Sequence, residues 1–241
     1  MRGMLLVARR DFWAYVNSVW GWAILSLLLL VDGVIFNFYA LGKTPQYSAD
    51  VLEKFFYIHG GVTLAAAAVT TMRLFAEERQ TGTIILLESS PLTESQAVLG
   101  KYLSAMAFLS VLQLLSLFMP AMIFINGKIG YSQIGVGYLG TMLMASAGVA
   151  IGTWASAIAR YQILALVVGG ITILFSVLCW PLSRILDAPF KALFSYVAFY
   201  DKHFEGFMQG RIDLASVIYF ASVTFAFLLL STRSLTARRW E

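Results

Sequence analysis

Long apolar stretches separated by short polar connections run along the whole chain. They cover about residues 18–40, 55–75, 97–125, 133–158, 161–181 and 214–232. Each is close to the ~20 residues that an α-helix needs to cross a hydrocarbon core of ~30 Å. The pattern therefore predicts an all-α, polytopic membrane protein with six transmembrane helices.

Composition supports the same class of protein. Only 12% of the 241 residues are charged and 59% are hydrophobic, whereas a soluble domain carries about 25% charged residues. The mean hydropathy is +0.77. We expect residues 1–241 to form a single transmembrane domain.

The distribution of cations predicts the orientation in the membrane. An even number of spans places both termini on one side, and the positive-inside rule places arginine-rich termini in the cytoplasm. We therefore expect residues 76–96 to form a cytoplasmic connection and residues 182–213 an extracytoplasmic one. The terminal cations are Arg2, Arg9, Arg10, Arg233, Arg238 and Arg239.

Two segments outside the spans carry apolar side chains of their own. Residues 1–16 mix arginine with leucine and aromatics, which favours an amphipathic helix in the cytoplasmic interface. The alternative is a basic, aromatic entry to the first span, and we expect no cleavable signal peptide there. Within the 182–213 connection, residues 189–200 are apolar but too short to span, which favours a re-entrant or interfacial segment.

Few polar residues inside the spans are candidates for chemistry. Asp32 is the one acidic residue well inside a span, and such a residue marks a pathway or a polar contact by default. The alternative is a position near the outer leaflet, protonated or hydrated. The two histidines, His59 and His203, lie in different segments, and we expect His203 to be a solvated loop residue. Cys179 is expected to be a packed apolar residue.

Small residues recur every four positions in the fourth stretch. Such spacing lines one helix face with residues that allow close backbone approach. The face is either an interface between subunits or a packing surface inside the bundle, and the sequence leaves both open. The residues are Gly148, Gly152 and Ser156, with Gly137, Thr141 and Ala145 earlier in the same stretch.

Motifs of common enzymes are absent from the sequence. It contains no HExxH, no GxSxG and no paired metal-ligand spacing. The segment NFYALGKT, residues 37–44, ends like a phosphate-binding loop but has Asn37 where that motif needs glycine. We therefore expect this chain to bind no ATP, cofactor or metal itself, to catalyse no reaction, and to bind no nucleic acid.

The polar insert at 75–101, between the second and third apolar stretches, has a defined local pattern. Charged residues follow the end of the second span. Gly82 and Thr83 then interrupt the helix, and Thr83 can cap a short helix over 84–88. Pro91 ends that helix. Thr93 with Gln96 forms a capping box for the third span. A short apolar cytoplasmic helix either docks into a groove of another protein or lies on the membrane or its own bundle.

Two segments resemble a known family. The segment EERQTGTIILLESSPLTESQAVLGK resembles the connection between the second and third spans of ABC-2 type transporter permeases. The segment HFEGFMQGRIDLASVIYFASVTFAFLLLSTRSLTARRW, residues 203–240, is similar to the end of the gliding-motility subfamily. The residues that match are Glu77, Glu78, Gly82, Thr83 and Pro91 in the first segment and His203, Phe204, Phe207, Gly210, Ile212 and Asp213 in the second.

The resemblance implies a permease subunit of a bacterial ABC transporter in the inner membrane. It implies a second permease copy or paralogue and two P-loop ATPase subunits, which would bind the ATP and Mg²⁺. An accessory protein with an extracytoplasmic domain and membrane lipid are further expected partners, and a lipidic or amphipathic substrate is expected to be exported. The expected ATPase-docking residues are an ionic rim, Glu77, Glu78 and Arg79, and an apolar core, Ile84, Leu86 and Leu87, with Gly82, Thr83 and Pro91 shaping the segment.

Two other functions stay open on the sequence. One is a membrane scaffold that recruits an ATPase for mechanical work without moving a substrate. The other is an ATP-independent channel or secondary transporter, for which Asp32 is the only indication.

Overall fold

The architecture is helical throughout the part of the chain that is described. A computed structural model describes residues 2–41, 47–126, 130–187 and 190–238, and within these ranges there are helices and no strands. This confirms the predicted all-α class.

Six helical segments are long and apolar enough to cross a membrane, as predicted. The second begins about seven residues before its apolar stretch, because its first turns carry polar residues such as Asp50 and Lys54 that a hydropathy pattern does not count. The fifth continues past Pro181, which lies within its helix. The segments are Val19–Leu41, Ser48–Gln80, Glu94–Phe124, Tyr131–Ile158, Gln162–Ile185 and Leu214–Ala237.

Twelve α-helices and two π-helical turns make up these segments and their connections in the described ranges. The π-helical turns are Phe36–Leu41, which continues α2, and Phe199–Phe204, which precedes α11. The α-helices are α1 Arg2–Val16, α2 Val19–Ile35, α3 Ser48–Thr71, α4 Ala76–Gln80, α5 Ile84–Glu88, α6 Glu94–Ser116, α7 Phe118–Asn126, α8 Tyr131–Ile158, α9 Gln162–Ile185, α10 Phe190–Val197, α11 Glu205–Met208 and α12 Leu214–Arg238.

Helix α6 begins where the capping box predicts. The Gln96 backbone N–H donates to Thr93 Oγ1, and the Thr93 N–H donates to Gln96 Oε1, both at 3.4 Å. This exchange satisfies two of the N–H groups that a helix start leaves unpaired. The chain is therefore held in a fixed direction as it enters the third span.

Helix α8 is the centre of the bundle and packs against α3, α6, α9 and α12. Its glycines allow this close packing. A Cβ on Gly137 would lie 2.1 Å from the Phe56 ring, and one on Gly152 would lie 1.9 Å from Thr71 Oγ1. The small-residue face of α8 thus lies against α3 within the same chain.

Helix α2 lies at the periphery. Only Gly21, Leu25 and Asp32 of this helix are buried. Its other apolar side chains form part of the outer surface of the bundle, as a membrane-facing helix requires. Asp32 is therefore a buried carboxylate on a helix that is otherwise apolar and mostly exposed.

Helices α10 and α11 and the π-helical turn between them close one end of the bundle, which we call the α10–α11 end. Phe204 and Phe207 are fully buried and contact the positions of Gly60 and Gly140, where an added Cβ would meet them. Helix α10 itself has no buried residue and packs on α9. Whether residues 189–200 enter the bilayer stays a prediction.

Because Gly152 is closely packed and Gly135 is not, substitution by alanine should affect stability differently at these two positions of α8. We expect Gly152→Ala to lower stability by about 1–3 kcal/mol, because the new methyl group overlaps Thr71. Gly135→Ala is the matched control, since no atom lies within 4 Å of its Cβ position and alanine favours a helix. Thermal unfolding in detergent measures both, and equal midpoints would contradict the packing of α8 on α3.

Candidate functional site

The polar insert forms a helical hairpin, α4 and α5, that is fixed to the end of α8. The Phe75 and Ala76 N–H groups both donate to Ser156 Oγ, at 3.0 and 3.1 Å. The Arg79 guanidinium donates to the Ala159 carbonyl at 2.9 Å. We call this end of the molecule the α4–α5 end.

Lys101 of α6 is the most buried charge at this end. Its side chain is 2% exposed, and its ammonium lies 2.8 Å from Glu78 Oε1 and 3.2 Å from Asp11 Oδ2. The Phe75 ring centroid is 5.1 Å from the same nitrogen. A buried cation needs partners of this kind, because an unpaired charge in a low-dielectric site costs several kcal/mol. One ammonium therefore joins α1, α4 and α6.

Further ion pairs surround Lys101. Arg10 donates to Glu78 Oε1 at 2.9 Å and to Asp11 Oδ1 at 2.7 Å. Arg73 forms two hydrogen bonds with Glu77, at 2.7 and 2.8 Å. These groups line a cavity of about 350 Å³ between α1, the end of α3, α4 and α6. We call this network the α4 joint.

The glycine before Lys101 allows α1 to approach. A Cβ on Gly100 would lie 2.8 Å from both the Met4 carbonyl oxygen and Val7 Cβ. Helix α1 therefore packs directly on α6, which brings Asp11 to Lys101. The sequence reasoning gave Lys101 no role, although a lysine inside the 97–125 stretch was a usable signal.

Two of the three residues of the predicted ionic rim make contacts with the bundle, and their role in docking stays a prediction. Glu78 and Arg79 point into the bundle, and the second carboxylate oxygen of Glu78 is itself buried. Glu77, paired with Arg73, is half-exposed. The reason is the buried Lys101, whose charge has to be compensated by carboxylates that also lie inside.

The tip of the hairpin presents apolar side chains outward. Ile85 and Leu86 are 66% and 72% exposed, while Ile84 packs against the bundle core. Gly82 has φ +73°, a left-handed conformation that suits glycine. Thr83 and Pro91 are exposed, and the side chain of Leu87 lies outside the described part of the structure.

A second polar cluster lies inside the bundle. Asp32 Oδ2 is 2.7 Å from His59 Nδ1, and His59 Nε2 is 3.4 Å from Ser116 Oγ. Tyr138 Oη is 2.9 Å from the same Ser116 oxygen, and the Phe55 ring stacks on the imidazole. Asp32 thus makes a polar contact within the bundle. The sequence reasoning missed His59, which was visible as a second ionisable residue inside a span.

The order carboxylate, imidazole, hydroxyl is also that of hydrolase triads. Here Ser116 is fully buried, and its hydroxyl lies closer to the Gln113 carbonyl, at 2.8 Å, than to the imidazole. A nucleophile has to reach its substrate. We therefore assign no nucleophilic role to Ser116.

The prediction that His203 is a solvated loop residue is wrong. His203 is 3% exposed and stacks on Tyr219 of α12, with ring centroids 3.7 Å apart. Its Nε2 lies 3.0 Å from the Tyr196 carbonyl oxygen, to which it donates. Burial lowers the pKa of this imidazole, which favours its neutral form. The ring that buries His203 belongs to Tyr219 on another helix, so the residues next to His203 in the sequence do not indicate this burial.

The other residues of the 203–213 element also have structural contacts. Gly210 has φ +78°, and a Cβ there would lie 2.8 Å from Gln133. Asp213 accepts from the Ala215 N–H at 3.2 Å and so caps α12. Ile212 is exposed. Together with Phe204 and Phe207, these contacts hold the α10–α11 end closed.

The described residues contain no group of three or more His, Cys, Asp or Glu side chains that is arranged to hold a metal ion. Cys179 is buried, as predicted.

Six helices long and apolar enough to cross a membrane indicate a multi-pass membrane protein. A family model described as ABC-2 family transporter protein matches residues 5–238. The chain therefore belongs to the ABC-2 family, whose membrane chains are permease subunits of ABC transporters. A search of curated proteins finds no match. The finer resemblance to gliding-motility permeases stays a prediction.

The α4 joint predicts a large effect of one buried charge. We expect Lys101→Met to lower stability by about 3–5 kcal/mol, because it removes the buried cation of Asp11 and Glu78 and leaves these carboxylates only the exposed Arg10. Arg10→Gln removes a cation that is 59% exposed, and its effect should stay within about 1 kcal/mol.

Thermal unfolding of the purified protein compares the two variants. The double variant Lys101→Met, Glu78→Gln should recover part of the loss, since it removes one of the two carboxylates that lost the buried ammonium. A Lys101→Met protein as stable as the wild type would show that the ammonium does not hold the joint.

Proposed function

We propose that this permease couples ATP hydrolysis in separate P-loop ATPase subunits to export of a lipidic or amphipathic substrate, and that the ATPase docks on the tip Thr81–Leu86. One observation carries the proposal. Ile85 and Leu86 are exposed apolar side chains at the end of a hairpin whose base is fixed to three helices. Exposed apolar side chains on a short helix are typical of docking into a groove.

A force applied to the tip would be transmitted to the bundle through a few direct contacts. Glu78 links α4 to Lys101 of α6, and Ser156 links the start of α4 to α8. On the other side, the chain passes from Pro91 to the capped start of α6 at Thr93. Movement of the ATPase groove would therefore displace α3 and α6 together with α1, rather than bend a loose loop.

In this proposal the α4–α5 end and both termini face the cytoplasm. Two copies of this chain, or this chain and a paralogue, pair and bind two ATPase subunits, in which ATP and Mg²⁺ are bound. In the proposal, Glu78 and Arg79 fix the hairpin to the bundle, while Ile85 and Leu86 form the contact with the ATPase.

A groove on the membrane-facing side supports a lipidic substrate. It has a volume of about 820 Å³, lies between α3 and α9, and is lined almost entirely by apolar side chains. It extends from Tyr57 to Ala68 along α3, about 16 Å at 1.5 Å per residue. This is about half of a ~30 Å hydrocarbon core. One acyl chain of a lipid in a single leaflet therefore fits the groove.

The docking tip is tested with paired variants of two residues. We expect Leu86→Asp and Gly82→Pro to abolish stimulation of the ATPase by the permease. The first places a charge in the apolar contact, and the second excludes the positive φ of the turn. Leu86→Met and Gly82→Asn are the controls, because methionine keeps the apolar contact and asparagine tolerates a left-handed conformation.

The measurement is ATP hydrolysis by the co-purified complex in lipid nanodiscs, with thermal unfolding to show that the bundle stays folded. Full stimulation in both Leu86→Asp and Gly82→Pro would exclude the tip as the docking site. A permease that purifies without an ATPase and is active alone in liposomes would favour the channel or secondary transporter.

The groove is tested at a glycine with free space around it. We expect Gly170→Phe to reduce labelling of the chain by a phospholipid that carries a photoreactive group in its acyl chain, because the ring fills the groove. Gly135→Phe is the control, since its Cβ position is equally open but lies outside the groove. Unchanged labelling with intact ATPase docking would favour the scaffold function.

A further inference from the structure

Asp32 raises a physical problem that the transport function does not explain. Its carboxylate is 1% exposed on the peripheral helix α2. A carboxylate at the centre of a membrane helix costs about 2.5–3.5 kcal/mol even on translocon scales. His59, fully buried on α3, is the one ionisable group that the structure places in contact with it.

The distances around His59 favour one arrangement of its protons. Ser116 has one hydroxyl proton, and its nearest acceptor is the Gln113 carbonyl at 2.8 Å. Tyr138 lies at 2.9 Å and can donate to the Ser116 oxygen. His59 Nε2 is more distant, at 3.4 Å. If the serine proton goes to Gln113, Nε2 needs its own proton to make a hydrogen bond with Ser116.

The other imidazole nitrogen also carries a proton. His59 Nδ1 lies 2.7 Å from Asp32 Oδ2, a distance typical of a charge-assisted hydrogen bond in which nitrogen donates to a carboxylate. Both ring nitrogens then act as donors, which only the imidazolium form allows. An imidazolium beside a carboxylate is a neutral pair, whereas a neutral imidazole beside an ionised Asp32 would leave one net negative charge buried.

Among the described residues of the helices around the pair, no other charged side chain lies at this depth. Helix α8, which contributes Tyr138, contains no Asp, Glu, Lys, Arg or His. Helix α6 carries only Glu94 and Lys101, both near its start at the α4–α5 end. On α3 the nearest charged residues are Glu53 and Lys54, more than one turn away. The charge balance of the cluster is therefore set by Asp32 and His59 alone.

We propose that Asp32 and His59 form an intramembrane proton-binding site, in which His59 is held as an imidazolium paired with the Asp32 carboxylate. The ligand is a proton, which this permease would hold in addition to any lipidic cargo. The site joins α2 to α3, and its formation is independent of the ATPase and of the substrate.

Polar atoms one helical turn away mark a candidate route for water to the site. Thr63 follows His59 by four residues on α3, and Gln113 precedes Ser116 by three on α6, so that each lies on the same face as its neighbour. Thr63 Oγ1, Gln113 Nε2 and Asp32 Oδ1 are buried without a hydrogen-bond partner in the described structure. Buried polar atoms of this kind are normally satisfied by internal water.

The site makes the position of α2 depend on the proton. Apart from Asp32, few residues of α2 are buried, so that the ion pair is a main attachment of this helix to α3. Loss of the proton would leave an uncompensated carboxylate at this contact between the two helices.

Nitrogen NMR of the histidine side chains tests the proposal directly. The chain has only two histidines, and His203 is an internal reference because its ring has no carboxylate partner among the described residues and only its Nε2 donates, to the Tyr196 carbonyl. The protein is labelled with ¹⁵N-histidine and measured at pH 7 in lipid nanodiscs without ATPase or substrate. His59→Gln and His203→Gln variants assign the signals.

We expect both ring nitrogens of His59 to be protonated and His203 to carry a single ring proton. In Asp32→Asn the His59 signals should change to those of a neutral imidazole. A neutral His59 in the wild-type protein would overturn the proposal, and this result needs no variant that might fail to fold. Loss of ATPase docking in the tip variants would leave the NMR result unchanged.

The water route has a separate readout. Thr63→Val should slow the replacement of the His59 ring protons by deuterium, because it removes one of the polar atoms next to the site. Thr70→Val is the matched control, since the Thr70 hydroxyl donates to the Ala66 carbonyl of its own helix. Equal exchange rates in the two variants would exclude Thr63 from the route.

Discussion

The buried ammonium of Lys101 is the interaction on which the α4–α5 end of the molecule depends. It attracts one carboxylate from α1 and one from α4 into a space that water hardly reaches. Each carboxylate alone would be costly to bury, and so would the lysine. Because the three charges are favourable only together, the positions of α1, α4 and α6 are fixed relative to one another, and the hairpin cannot move without them.

The rest of the bundle is held by a different kind of contact. Helix α8 uses glycines to bring α3 within van der Waals distance, so that this part is tightly packed and resists change. Helix α2 makes few such contacts and depends on the polar pair of Asp32 with His59. The molecule thus combines a rigid packed centre with one peripheral helix whose attachment is electrostatic. These two kinds of contact respond to different changes. An ion pair is weakened by hydration or by loss of a proton, whereas a packed contact is weakened by a change in side-chain volume.

The sequence predicted the features that depend on neighbouring residues. The six spans follow from apolar length, and the start of α6 follows from Thr93 and Gln96, which are three positions apart. Contacts between distant residues were not predictable in the same way. Lys101 pairs with residues 23 and 90 positions away, and His203 is buried by a ring on a different helix. A charged residue inside an apolar stretch signals that a partner exists, but only the fold identifies the partner.

The separation between a fixed base and an exposed tip has an evolutionary consequence. The residues that hold the hairpin point inward, while those between Thr81 and Leu86 contact little of the bundle apart from Ile84. With an ATPase docked on the tip as proposed, substitutions there would change which ATPase is recognised without disturbing the ion pairs that hold the helices. A gene duplication would then redirect such a permease to a new ATPase by altering a few codons, while its membrane part remains as it was.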